Sequence, residues 1–426
     1  MIAQLALRTL WRNRKRYTLL FLAILFSFSF VILLLGISSG TLISVKQKAS
    51  RYFAGQITVR GYQNDSPYIE NPDELASLLK ESNLPVALVS KRSIYYHTDA
   101  ALYYGGESVR QRRLVGVDFS QELGQFTSLS FIEGSAQNML TQKRGILISK
   151  SASSLLGAHV GDAIMVYVTT TEGQANTAEL IVAGVFDETS LFGYVAYINS
   201  EMLNELVNLP AGSATDIAIY FKQGVSENYY LQALYTLLSS KYQVLPIVGR
   251  KELSEMLAND ERIYLLAIIS LDANLDTIKD LLDALTAILY LLFVVFLLIV
   301  MTGIINTYRV ILFERTAEIG TMRALGLKKE QVLFMVLLEA FFLALSAALG
   351  GFIIGSALLF AVSKISIKTL PGSGLFTNNG YLVLFLKPSL IAIGLLLLIT
   401  AVLLAVQGPA RRASMLSPAE ALRETV

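Results

Sequence analysis

Four long apolar runs constrain this chain more than any other feature. They lie near residues 17–39, 284–308, 331–362 and 388–406, and a helix needs about 20 mostly apolar residues to cross the hydrocarbon core of a bilayer. Only the third run holds a charged residue, Glu339. Charged residues make up 16% of the chain, against roughly 25% in an ordinary soluble protein. The sequence predicts an α-helical membrane protein with four transmembrane helices and a large α+β extracytoplasmic domain between helices 1 and 2.

The first run is interpreted as a retained anchor, because it is longer than a signal-peptide core and no A-x-A-like cleavage site follows it. Residues 263–271 are too short to span and predict a buried helix outside the membrane. The predicted parts are a cytoplasmic lead-in at 1–16, helix 1 at 17–40, the outer domain at 41–280 with a stalk helix at about 251–283, helix 2 at 284–308, a cytoplasmic coupling loop at 309–330, helix 3 at 331–362, an outer loop at 363–387, helix 4 at 388–406 and a cytoplasmic tail at 407–426.

The distribution of basic residues predicts the orientation, since cytoplasmic loops are enriched in Lys and Arg. Residues 1–16 hold five basic residues and no acidic ones, and residues 309–330 hold five basic and three acidic ones. Residues 41–280 hold 19 basic and 26 acidic residues. Both termini are therefore expected in the cytoplasm of a bacterial inner membrane, although three lysines in 363–387 mildly oppose the pattern.

The outer domain alternates short β-rich runs with helix-like segments, which predicts a mixed α+β fold. From Lys251 to Ala284 there is no Pro or Gly, so one continuous stalk helix is expected. On such a helix Asp272, Asp276, Asp280 and Asp283 would share one face. This acidic strip is either a solvated face or a surface that faces a partner or a substrate path.

The sequence contains none of the catalytic, phosphate-binding or metal-binding motifs considered below. It has no cysteine, two histidines (His97 and His159) and a net charge of +2, so neither a thiolate site nor a nucleic-acid surface is expected. No G-x-x-x-x-G-K-[ST], G-x-S-x-G or H-E-x-x-H motif occurs. We expect no catalytic, cofactor or metal site in this chain, which is not predicted to be an enzyme.

The loop FERTAEIGTMRALGLKKEQV, residues 313–332, predicts a short amphipathic helix that Gly326 ends as a C-terminal cap. Such a helix could dock into a groove on a partner, although a positive-inside loop would look much the same. Internal packing against the second and third spans is the alternative for some of its residues.

The stretch ERTAEIGTMRALGLKKEQV followed by LLEA closely resembles the coupling loop of the MacB/FtsX/LolC–LolE family of ABC-transporter permeases. The opening LALRTLWRNRKRYTLL, the ending PARRASMLSPAEALRE and the segments GILISKSASSLLGAHVGDAIMVYV and IVAGVFDE agree with it, as does the layout of one span, an outer domain and three spans. Length and the absence of a fused ATPase bring the chain nearest to the lipoprotein-releasing LolC/LolE branch.

The resemblance implies partners and a mechanism. Two permease chains, identical or paralogous, would pair above an ABC ATPase dimer that binds ATP and Mg, and hydrolysis would move the coupling helices and the outer domains. The implied ATPase contacts are Glu314, Arg315, Glu318, Ile319, Gly320, Arg323, Ala324, Leu325 and Gly326. LolC-type proteins recruit a soluble lipoprotein carrier through a proline-containing hook. The matching turn here, TTTEGQANTAE at 169–179, has no proline, which leaves a periplasmic carrier in question.

Two features of the third span suggest helix packing. Gly351 and Gly355, preceded by Gly350, form a G-x-x-x-G motif that would serve either a permease dimer or contact with the fourth span. The intramembrane acid Glu339 would either pair with a residue such as Arg323 or reach the interface as a capped carboxylate.

Release of lipoproteins from the inner membrane is the function these features favour most. Export of a periplasmic peptide, toxin or drug, as in the MacB branch, is a second hypothesis. Mechanical activation of cell-wall hydrolases without transport, as in FtsX, is a third.

Overall fold

The computed structural model describes residues 2–63, 66–127, 129–187, 194–222, 224–258, 264–367, 377–378 and 380–415. The chain divides into two compact units. We call the unit of Met1–Leu42, Leu281–Ser366 and Leu382–Val426 the membrane domain, and that of Ile43–Asp280 and Ile367–Tyr381 the head domain.

Fourteen α-helices are found in the described part of the chain, numbered here in chain order. They are α1 (Ile2–Arg12), α2 (Arg14–Tyr52), α3 (Pro72–Glu81), α4 (Phe119–Thr127), α5 (Asn138–Thr141), α6 (Lys150–Leu156), α7 (Ser200–Val207), α8 (Leu231–Ser239), α9 (Arg250–Ala258), α10 (Leu271–Asn274), α11 (Asp276–Glu314), α12 (Thr316–Ala324), α13 (Lys329–Ser363) and α14 (Pro388–Met415).

The strands, numbered in the same way, are β1 (Ile57–Gln63), β2 (Ser66–Pro67), β3 (Val86–Tyr95), β4 (Ala101–Tyr104), β5 (Glu107–Arg110), β6 (Arg113–Val117), β7 (Phe131–Gly134), β8 (Gly145–Ser149), β9 (Ala163–Thr169), β10 (Ala175–Phe186), β11 (Val195–Asn199), β12 (Asp216–Phe221), β13 (Tyr264–Ser270), β14 (Thr377–Asn378) and β15 (Tyr381–Leu382).

The membrane domain contains four helices that are long and apolar enough to cross a membrane: Arg14–Tyr52, Tyr290–Glu314, Lys329–Ser363 and Pro388–Met415. Their shared core draws on all four helices, through residues such as Ile24, Ile304, Val336 and Val402. Nearer its middle, α11 exposes apolar side chains such as Leu298 and Ile299. The predicted number of spans and the presence of a large α+β domain are confirmed.

The glycines of α13 pack against α2, inside one chain. A Cβ on Gly351 would lie 2.5 Å from the carbonyl oxygen of Leu25, and one on Gly355 would lie 2.7 Å from that of Ser29. Gly350 faces the side chain of Leu25. The close approach of this motif is therefore to the backbone of the first span and not to the fourth span. Its part in a permease dimer stays a prediction.

The head domain is built on one mixed sheet. Its strand order is β13-β1-β12-β3-β6-β11-β8-β10-β9-β4-β5, with β2 pairing β1 and β7 pairing β10. The pairs β10–β8 and β11–β6 are parallel, and the other pairs are antiparallel. The short β-rich runs expected in residues 41–280 form strands of this sheet, and helices α3 to α8 lie between them along the chain, so the α+β prediction is confirmed.

The continuous stalk helix expected at about 251–283 is wrong. Helix α9 ends at Ala258, and the predicted buried helix at 263–271 is largely strand β13, which pairs antiparallel with β1 so that Ser270 lies opposite Ile57. Both faces of β13 are covered, since Ile268 packs in one apolar cluster and Ile269 in another. A strand buried on both faces reads as a continuous apolar run and loses the alternation that would reveal it.

Contrary to expectation, the aspartates of the acidic strip do not lie on one helix. Asp272 lies in α10 and binds the ammonium of Lys46 at 2.8 Å and the amide of Asn228 at 2.7 Å. Asp276 begins the separate helix α11, on which Asp283 is exposed. The side chain of Asp280 lies outside the described residues.

The pairing of β13 with β1 predicts a specific cross-link. Gln63 lies directly opposite Tyr264, so the double variant Gln63→Cys/Tyr264→Cys should form a disulfide on mild oxidation, because the Cβ atoms of facing residues are about 5 Å apart. The chain has no cysteine of its own to compete. Mobility on non-reducing gels measures the outcome. The control, Gln63→Cys/Leu265→Cys, places the second thiol on the opposite face and should stay reduced, whereas a helix at 264–270 would favour neither pair.

Candidate functional site

A buried ion pair lies at the junction between α11 and α12. Arg315 lies in the turn between the two helices with 1% of its side chain exposed, and Glu339 of α13 is fully buried. The Arg315 Nη1 donates to Glu339 Oε2 at 2.7 Å, and its Nη2 lies 3.3 Å from Oε1. The guanidinium therefore contacts both carboxylate oxygens, and this bidentate geometry gives the strongest arginine–carboxylate pairs.

Tyr17 of α2 completes this network. Its hydroxyl accepts from Arg315 Nη1 at 2.9 Å and donates to Glu339 Oε2 at 2.9 Å. The Arg315 Nε also donates to Glu318 of α12 at 3.2 Å. We call Tyr17, Arg315, Glu318 and Glu339 the Arg315 network. It ties three helices, α2, α12 and α13, to a single guanidinium.

Burial alone would lower the pKa of Arg315, but hydrogen bonding and charge from Glu339 outweigh it and hold this pKa above its usual value. The group is therefore cationic at any physiological pH. Removing one partner of such a pair leaves the other charge buried and unpaired, which costs about 3–5 kcal/mol.

Weaker ion pairs join the start of the chain to the same loop. Arg12 of α1 lies 3.5 Å from Glu318, and Arg16 of α2 lies 3.3 Å from Glu314. All four side chains are substantially exposed, so each contact contributes at most about 1 kcal/mol. These pairs link α1 to α12 and the start of α2 to the end of α11.

The end of α12 carries the exposed part of this loop. Gly326 adopts φ +101°, and the amide of Leu327 donates to the carbonyl of Met322 at 3.2 Å, which is a glycine-capped helix end. Leu325 is 80% exposed, and Thr321 and Ala324 are exposed beside it. We call Thr321, Ala324, Leu325 and Gly326 the loop tip.

Comparison with known proteins identifies the architecture. Residues 18–234 match the family model described as the MacB-like periplasmic core domain, and residues 290–418 match the FtsX-like permease C-terminal model. The first match alone covers more than half of the chain. The chain belongs to the MacB/FtsX-like permease family.

One relative is the macrolide export ATP-binding/permease protein MacB of Haemophilus ducreyi, 33% identical over 155 residues. That alignment covers 35% of this chain and 19% of the relative, so it spans about a fifth of the relative's length.

Two solved structures resemble this permease. The extracellular domain of the ABC-type transporter YknZ from Gram-positive bacteria matches with TM-score 0.30 and 15% identity, covering 49% of this chain and 98% of that one. The periplasmic region of MacB from Actinobacillus actinomycetemcomitans matches with TM-score 0.31 and 12% identity, covering 53% and 94%.

The structure divides the loop residues implied by the family resemblance. Ala324, Leu325 and Gly326 are exposed, and Glu314 and Glu318 are partly exposed in their ion pairs. Arg315, Ile319 and Gly320 are buried, so these three are unsuited to direct contact with a partner in this conformation.

Glu339 pairs with an arginine of the loop, which was one of the two expectations, but this arginine is Arg315 and not Arg323. Arg323 Nη1 instead donates to the carbonyl of Ser414 in α14 at 3.2 Å, and Arg315 occupies the carboxylate. Sequence reasoning missed Tyr17 and Ser414, because residues separated by 322 and 91 positions from their partners leave no local pattern.

Stability measurements on the permease should distinguish the buried Arg315 from an exposed arginine. We expect Arg315→Met and Glu339→Leu each to destabilise the membrane domain by about 3–5 kcal/mol, and the double variant to cost much less than their sum, because it leaves no unpaired charge. Equilibrium unfolding in detergent micelles measures this. The control Arg16→Met removes an exposed ion pair to Glu314 and should cost at most about 1 kcal/mol. An Arg16→Met loss as large as that of Arg315→Met would contradict the assignment.

Proposed function

We propose that this chain is the permease subunit of an ABC transporter and that a separate ATPase drives it through the loop tip. The observation that carries the proposal is the contrast within one loop. Arg315 is buried and paired with spans α2 and α13, while Leu325, only ten residues later, presents an almost fully exposed apolar side chain. An exposed leucine beside a glycine-capped helix end suits an apolar pocket on a partner.

The charge distribution supports the orientation. The five basic residues of 1–16 and those of 309–330 favour the cytoplasmic side for the loop tip and both ends of the chain. The head domain then lies outside the cytoplasm of a bacterial inner membrane. ATP and Mg would be bound by the ATPase, since the chain carries no phosphate-binding loop motif.

For the substrate, we propose lipoproteins released from the inner membrane. The apolar surface of α11 supports an acylated substrate, because large side chains such as Leu291 and Leu298 are more than half exposed along it. It meets α2 through the rings of Phe30 and Phe296, whose centroids are 5.0 Å apart. An acyl chain would enter beside this contact.

The likeness of the head domain to the MacB-like core model, and the relative named as a macrolide exporter, favour MacB-like export as the second candidate. The turn at 169–179 supports no hook for a carrier. It is a tight hairpin in which the amide of Thr170 donates to the carbonyl of Gln174 at 2.7 Å and Gly173 adopts φ +81°.

A single substitution at the loop tip tests the ATPase contact. Leu325→Asp should weaken binding of the co-expressed ATPase by about 2 kcal/mol, or roughly 30-fold, because it places a charge in an apolar contact. Titration of the ATPase against the permease in nanodiscs gives the dissociation constant. Leu155→Asp, the same change at a 55% exposed leucine of the head domain, is the control. Equal dissociation constants for Leu325→Asp and the wild type would refute the loop tip as the contact.

Depletion of the chain in its native host tests the substrate. If lipoproteins are released by this permease, acylated proteins should accumulate in the inner membrane, as measured by membrane fractionation and metabolic labelling with a fatty acid. A multi-pass inner-membrane protein followed in parallel controls for general membrane damage. Normal lipoprotein sorting together with increased sensitivity to macrolides or periplasmic peptides would favour MacB-like export instead.

A further inference from the structure

At the C-terminus of α2, in the head domain, backbone amides satisfy two of the last carbonyl groups. The last four carbonyls of a helix have no partner within it. Here the amide of Phe53 donates to the carbonyl of Ala49 at 2.8 Å, and that of Gly55 donates to the carbonyl of Ser50 at 2.7 Å. Gly55 adopts φ +90° to make this turn. Two carbonyls remain, those of Arg51 and Tyr52.

Two buried arginines of the sheet bind these remaining carbonyls. Arg92 of β3 donates through Nη1 to the carbonyl of Arg51, and Arg113 of β6 donates through Nη1 to that of Tyr52 at 3.1 Å. Their side chains are almost completely enclosed, with residue exposures of 0% and 7%. Cations are favoured at a helix C-terminus, where the backbone dipoles leave partial negative charge.

Arg92 is itself held from two sides. Its Nε donates to Glu122 Oε1 at 2.9 Å, and its Nη2 donates to the hydroxyl of Tyr220 at 2.8 Å. The Tyr220 hydroxyl donates in turn to Glu122 Oε2 at 3.1 Å. Burial raises the pKa of Tyr220 above its usual value, so the hydroxyl keeps its proton for this bond.

Arg113 is held by aromatic rings. Its guanidinium carbon lies 4.4 Å from the ring centroid of Tyr52, 5.0 Å from that of Phe53 and 5.5 Å from that of Tyr96. A planar guanidinium can stack on rings while it donates to a carbonyl, which the smaller ammonium of a lysine does less well.

The strands that supply these groups are neighbours in the sheet. β12 carries Tyr220, β3 carries Arg92 and β6 carries Arg113, in the order β12-β3-β6. They are interior strands with partners on both sides. A glycine turn is enough to end an ordinary helix, whereas burying two guanidinium groups carries a desolvation cost. The two buried arginines therefore hold this end of α2 by more contacts than are needed to cap a helix.

We propose that Arg92 and Arg113 are positioning residues that fasten α2 to the interior of the head-domain sheet, so that α2 and the sheet move as one body when the transporter turns over. The inference rests on the proposed function in one respect, that ATP hydrolysis moves α2. The fastening itself lies wholly among residues of the head domain.

The test uses two spin labels within the head domain, on the full chain in nanodiscs with its ATPase. Gln47→Cys labels the outer part of α2 and Ser154→Cys labels α6, and both positions are exposed. The chain has no other cysteine. The distance between the labels is measured without nucleotide and with Mg-ATP and orthovanadate. With the fastening intact, we expect the same distance in both states.

Arg113→Met should release α2, and the nucleotide should then shift the mean distance by more than the width of the distribution. The double variant Arg92→Met/Glu122→Leu should do the same without leaving a buried carboxylate unpaired. Arg110→Met, at an exposed position of β5, is the control and should behave as the wild type. ATPase activity of the complex should be unchanged in all variants.

Loss of structure alone would broaden the distances equally with and without nucleotide, so the nucleotide-dependent shift reports the positioning role. Arg113→Lys provides a milder variant if Arg113→Met fails to fold, and it should give a smaller shift. Identical nucleotide-independent distances in every variant, from complexes that hydrolyse ATP at the wild-type rate, would overturn the inference. A complex without ATPase activity would instead contradict the proposed function.

Discussion

Buried guanidinium groups hold both ends of α2, and this constraint organises much of the structure. At one end, Arg315 donates to the hydroxyl of Tyr17. At the other, Arg92 and Arg113 donate to the last carbonyls of the helix. A buried cation without partners would be severely destabilising, so each of these contacts admits few alternatives. Between them α2 runs unbroken from Arg14 to Tyr52.

The need to pair buried charges also explains why the loop after α11 is buried at its beginning and exposed near its end. Its beginning supplies Arg315, at the turn between α11 and α12, to a carboxylate that α13 places inside the membrane domain. Arg323, eight residues later at the end of α12, donates to the carbonyl of Ser414 in α14. The loop tip is exposed, with 80% of Leu325 accessible. In the proposed function, the ATPase would therefore contact residues other than the buried Arg315 and Glu339.

The parts of this fold that follow from local pattern were predictable from the sequence. The spans follow from apolar length, and Gly326 ends α12 because a left-handed residue is needed there. What failed depended on distant contacts. β13 lacks alternation because both its faces are buried, and its partner β1 lies some two hundred positions earlier in the chain. The pairing of Glu339 was ambiguous because the loop at 309–330 holds more than one arginine, and only the packing of α2 and α13 decides between them.

The strand pair β1–β13 has a consequence for the two helices that flank it. β1 follows α2 after a short turn, and β13 precedes α10 and α11, with the amide of Leu271 donating to the carbonyl of Gln56 at 2.9 Å. Paired strands are about 4.8 Å apart, so the chain leaves α2 and enters α11 by way of adjacent strands. Within the head domain, the last turns of α2 and the first turn of α11 can therefore separate only if hydrogen bonds between β1 and β13 are broken.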